Sequence, residues 1–153
     1  MGGDSRRLSR CDPRCFLIIP ALAPFAADVL ITLAGQSSNY WAGDYSAARE
    51  GAPVGAMLLK AHPLAFLGAA VLYAVGVALL IRYLPAPLSL WGSLGMLIAH
   101  TSGFLSWIRI SEYYHILEPS HNVLMAGLAA YCYARFFRAR LLIDPHKTYP
   151  DSK

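Results

Sequence analysis

FLIIPALAPFAADVLITLAG, residues 16–35, carries Asp28 as its only ionisable side chain in an otherwise apolar run. A helix of about 20 residues rises roughly 30 Å, which matches the hydrocarbon thickness of a bilayer. Basic residues (Arg6, Arg7, Arg10, Arg14) precede it, as in a signal peptide. The run is long enough to span, and a clear small-x-small cleavage site is hard to place in it. The reading is a retained first helix.

Three further apolar blocks follow. Block two opens at Ala52-Pro53 and runs to about Tyr83 with Pro63 inside it, so a kink or a later helix start is expected there. Leu84-Pro85-Ala86-Pro87 reads as a tight turn. Block three starts near Leu88 and is apolar to about Ile110, with helix continuing toward His115 until Glu118-Pro119 breaks it. Block four runs from about His121 to Phe137, short for a span. The expected fold is an all-α membrane protein with four transmembrane helices. Its domain occupies residues 16–137, between a flexible basic segment (1–15) and a polar tail (138–153).

Composition agrees. The chain is 56% hydrophobic and only 14% charged, against about 25% charged in soluble domains. Its net charge of +4 does not mark a nucleic-acid binder, because the basic residues cluster at the ends of apolar blocks. That placement sets topology instead. With the N-terminus inside, Arg6, Arg7, Arg10, Arg14, Arg82, Arg135, Arg138, Arg140, Lys147 and Lys153 are cytoplasmic. Only Arg49 and Arg109 lie opposite, with Lys60 inside a block. The expected location is the cell inner membrane, with both termini cytoplasmic. The C-x-x-x-C of Cys11 and Cys15 matches no redox or zinc spacing, and Cys132 lies within an apolar block.

Ionisable side chains inside spans are costly, and they are the default functional candidates. Asp28, Lys60, His62 and His100 qualify. At about 1.5 Å per residue, Asp28 lies roughly 9 Å from the outer end of its block. Lys60 and His62 lie roughly 10 to 14 Å deep if a helix begins at Pro53, and His100 about 14 Å. The four form a polar layer in the outer half of the bilayer. Its lid consists of Tyr40, Trp41, Asp44 and Glu50 on one connection, with Glu112, Tyr114, His115, Glu118 and His121 on the other.

Two readings of the layer stand side by side. Asp28 and Lys60 form either a structural ion pair between helices one and two or a relay and substrate-binding pair. His62 and His100 either hydrogen-bond a neighbouring helix or hold a divalent metal or haem. No H-E-x-x-H or comparable ligand spacing supports the metal, and no motif names a reaction.

The run ADVLITLAGQSSNYWAGDYSAAREGAPVGAMLLKAHPLAF, with AHTSGFLSW later, resembles a family of small bacterial multipass membrane proteins of unknown function. The shared features are Asp28, a loop of the form Y/W-x-G-D-Y-x-x-x-x-E-x-x-P, HPLAF, and the pair His100-Thr101. The family pattern has Asn where this chain has Ala52, so no amide role carries over there. The resemblance implies the multipass architecture and no activity. The expectation is an accessory or binding subunit with a polar pocket, embedded in lipid beside other subunits or further copies of itself. The alternatives are a small metal- or haem-binding membrane enzyme and a proton-coupled transporter.

Overall fold

A computed structural model of the chain describes residues 12–109 and 114–143. Expectations resting on residues 1–11, among them Arg6, Arg7, Arg10 and Cys11, on Glu112 and on the tail beyond Ile143 fall outside these. The described residues form α1 (Cys15–Ala34), α2 (Ser38–Trp41), a 3-10 turn (Tyr45–Ala47), α3 (Pro53–Ala61), α4 (Pro63–Tyr83), α5 (Ala86–Ile108) and α6 (Tyr114–Ile143). Among the described residues there is no strand. Three of the described helices, α1, α4 and α5, are long and apolar enough to cross a membrane.

α1 is the central helix, packed against α4, α5 and α6. Leu17, Pro20, Ala21, Pro24 and Thr32 are its buried positions, and the helical period puts them on one face. Asp28 falls on that stripe. Pro20 and Pro24 each remove one backbone donor, yet the helix continues through both. α5 runs parallel to α1 and contacts it along much of its length. Ser93 Oγ donates to the Leu17 carbonyl at 2.7 Å near one end, and Asp28 meets His100 further along. A methyl added to Gly35 would sit 2.5 Å from the Trp107 ring near the other end, so α1 and α5 approach closely there.

A core of Leu17, Ala21, Val77, Ile81, Ala86 and Phe136 fills the Arg14 end of the bundle. Ser89 and Ser93 are fully buried within this half, and Tyr133 Oη lies 3.2 Å from Ser93 Oγ. Buried polar side chains therefore occur in this half as well. These groups are hydroxyls that satisfy helix carbonyls: Ser89 Oγ donates to the Ile81 carbonyl at 2.8 Å and braces the turn at Leu84-Pro85. Much of α4 faces outward with large apolar side chains, among them Val71, Leu72, Leu80 and Tyr83. Water disfavours so continuous an apolar surface, whereas lipid tolerates it.

Block two divides into two helices. His62 adopts extended backbone (φ −177°, ψ 144°), because the residue before a proline avoids the helical region, and Pro63 opens α4. The His62 ring caps the new helix, with Nδ1 accepting from the Leu64 amide at 3.1 Å. α3 is thus a separate short helix, and Lys60 and His62 sit at its end, both exposed.

α6 also departs from expectation. It continues through Pro119 without a break, because the bond lost there is to the carbonyl of exposed His115, which solvent reaches. It packs through His121, Met125, Ala129, Cys132 and Phe136, a stripe of helical spacing. Ser120, His121 and Asn122 at its start and Arg135, Arg138 and Arg140 at its end restrict its apolar stretch to residues 123–134, and it is not among the three candidate spans.

The connection from α1 to α3 is held by buried Gln36. Its Nε2 donates to the carbonyls of Thr32 (2.8 Å) and Arg49 (2.7 Å), and its Oε1 accepts from the Arg49 amide at 2.8 Å. Replacing Gln36 by Ala leaves both Arg49 backbone groups without a partner, at a cost of about 1–3 kcal/mol. Gln36→Ala is therefore expected to speed tryptic cleavage after Arg49 in the detergent-solubilised protein several-fold. An unchanged cleavage rate would contradict the clamp.

Candidate functional site

Asp28 and His100 form the site. The carboxylate Oδ2 lies 2.9 Å from His100 Nδ1, and both side chains are about one-fifth exposed. Asp28 pairs with His100 in place of Lys60. The division at His62 and Pro63 places Lys60 at the exposed end of the short α3, while Asp28 faces α5. The pairing suits the setting: a carboxylate away from water is costly alone, and an imidazole N–H satisfies it.

Two glycine and aromatic features fix the pair. A methyl on Gly103 would sit 2.5 Å from Asp28 Oδ2 and 2.8 Å from Oδ1, so only glycine there leaves room for the carboxylate. The His100 ring packs edge-on against Phe25 (centroids 4.8 Å apart) and Tyr73 (6.1 Å). Tyr73 Oη in turn reaches Met96 Sδ at 3.2 Å. A carboxylate on Nδ1 holds the proton there and leaves Nε2 as the free, basic nitrogen. His100 Nε2 makes no hydrogen bond among the described residues and is not sealed from solvent.

Two cavities meet at the pair. One, of about 560 Å³, lies between α1, α3 and α4, with walls of Phe25, Val29, Leu58, Phe66 and Tyr73. The other, of about 650 Å³, lies toward the α1–α3 connection and is bordered by Arg49, Ser102, Ser106 and Trp107. Asp28, His100, Glu50 and Ala52 belong to both. Volumes of this size are those of small-molecule sites.

The remaining expected residues distribute as follows. Lys60 and His62 line neither cavity, so the four-residue polar layer reduces to Asp28 and His100. The His62 ring faces Tyr45 at 5.2 Å, whereas His100 lines both cavities. Among the described residues no group of three or more His, Cys, Asp or Glu is placed to hold a metal.

The lid residues play separate parts. Tyr40 is fully buried and donates to the Leu59 carbonyl at 3.1 Å, tying α2 to α3. Burial, and secondarily Tyr45, push its phenol above the ordinary value, so it stays a neutral donor. Trp41 is exposed, and Asp44 caps the 3-10 turn through Ser46. Glu50 is the lid residue that reaches the cavities, with Oε1 accepting from the Ala52 amide at 2.8 Å. On α6, His115 is exposed beside Tyr114, and Glu118 is half-buried. His121 is buried and stacks on Phe104 at 4.0 Å, its Nε2 without a partner among the described residues. Phe104 therefore turns toward α6, while Gly103 and Trp107 remain with His100.

Gly103→Ala is expected to displace Asp28 and lower stability by about 1–3 kcal/mol through overpacking. Gly95, about two turns earlier on the same helix with open space around it, gives the control: Gly95→Ala is expected to be neutral or slightly stabilising. Thermal unfolding in detergent compares the two, and equal shifts would contradict the contact. Comparison with known protein families, curated proteins and solved structures finds no match to this chain.

Proposed function

We propose that this chain is an inner-membrane binding subunit that holds a small ligand on the Asp28–His100 pair. The observation that carries the reading is the pair itself: an acid and an imidazole 2.9 Å apart, at the junction of two cavities and with one ring nitrogen unused. Paired ionisable groups among spanning helices are costly to retain, and structural pairing alone does not require cavities on both sides.

The proposed topology has four crossings, with α6 as the fourth. α6 packs along α1 and α5, its stretch 123–134 is uncharged, and its long Arg side chains reach the interface by snorkelling. Both termini are then cytoplasmic. The separation of α3 from α4 moves Lys60 to the opposite side with Arg49 and Arg109, and the other ten of the 13 Lys and Arg residues remain cytoplasmic. The outward apolar face of α4 meets lipid, another subunit or a second copy of the chain. A metal or haem enzyme has less support, since His62 and His100 belong to different surroundings.

Extraction from native membranes in mild detergent tests the reading. The wild-type chain is expected to carry a bound small molecule, detectable by mass spectrometry of the extract, that Asp28→Asn and His100→Phe each deplete at least tenfold. Equal content in wild type and variants would sink the proposal.

A further inference from the structure

The two cavities that share Asp28 and His100 differ in chemistry, and the difference identifies a ligand class. The α1–α3–α4 cavity has three aromatic rings on its walls, Phe25, Phe66 and Tyr73, with the small residues Ala69 and Ala70 between the two rings of α4 and Gly55 of α3 facing Phe66. Small residues make a slot, and aromatic faces and edges favour a flat ring within it. Apolar Val54 lines the cavity and is itself 66% exposed, so this side opens through an apolar residue. The bundle core lies at the Arg14 end, so α1 and α4 enclose this cavity where they are not filled by packing. The second cavity, with Arg49, Glu50, Ser102 and Ser106, is the polar one.

We infer that the ligand is a lipid-soluble ring compound bearing a hydrogen-bonding oxygen, the chemistry shared by quinones and phenols. This rests on the reading of Asp28–His100 as a binding site. The ring lies against Phe25 and Tyr73 in the apolar cavity, and its oxygen meets His100 Nε2. That nitrogen accepts from a hydroxyl in the neutral imidazole and donates to a carbonyl in the imidazolium. The polar cavity gives water and protons access to the pair without crossing the ring site. A simple alkyl chain would fill the same volume but leave Nε2 without a partner.

The test uses the full-length protein in synthetic phosphatidylcholine nanodiscs free of quinone, titrated with a decyl-substituted benzoquinone, with its phenol-type reduced form and, as a chain-matched control, with decanol. Saturable binding of one ring compound per chain is expected, at least tenfold tighter than decanol. His100→Phe is expected to weaken it at least tenfold. Ala70→Phe, which fills the slot without touching the pair, is expected to do the same, with Ala69→Phe as a second filler if the first does not fold. Decanol binding as tightly as the ring compounds would overturn the ring class. Binding that both slot-filling variants leave unchanged would reduce it to partition into lipid and overturn it equally. Absence of ring-compound binding also overturns it. In that event a different co-purified molecule, lost in Asp28→Asn, would still uphold the binding-subunit reading.

Discussion

The arrangement depends on one carboxylate. Asp28 lies on the buried stripe of the central helix, where an unpaired charge would cost several kcal/mol, and His100 is the group that satisfies it. Its geometry explains the neighbourhood. α5 must run parallel to α1 at a distance that Gly103 permits, and Phe25 and Tyr73 fix the imidazole plane. Had residue 103 carried even a methyl group, the carboxylate and the helix backbone would compete for the same space.

The cavities follow from the segments above the pair. Gln36 fastens the end of α1 to Arg49, and Tyr40 fastens α2 to the end of α3. His62 ends α3 and caps α4. Three side chains thereby hold a short helix over the space between α1 and α4, and Glu50 sits where the two cavities join. Histidine at position 62 is thus accounted for by capping and the ring contact with Tyr45, with no ligand needed.

Hydropathy made α1, α4 and α5 legible from sequence, because runs of apolar residues near bilayer length have few other uses. Asp28 and His100 were legible too, as ionisable residues within such runs. Their pairing was not. Depth along a helix follows from residue count, but the facing direction depends on how helices pack, and Lys60 stood at a comparable depth only while block two was taken as one helix from Pro53. The proline at 63 was the available signal for the division. The role of Gln36 left no trace in the sequence, since an amide in a loop acquires meaning only from what lies opposite. Pro119 misled for a related reason: a proline near a helix start removes a bond that solvent can replace.

The central claim is that Asp28 holds His100 by Nδ1 and leaves Nε2 available. Nitrogen-15 NMR of the protein labelled at histidine, with His100 assigned by His100→Gln, tests this most directly. The account predicts that neutral His100 carries its proton on Nδ1 and that Asp28→Asn shifts its ring resonances while those of His62 and His115 stay in place. A neutral His100 protonated on Nε2, or one indifferent to Asp28→Asn, would contradict it.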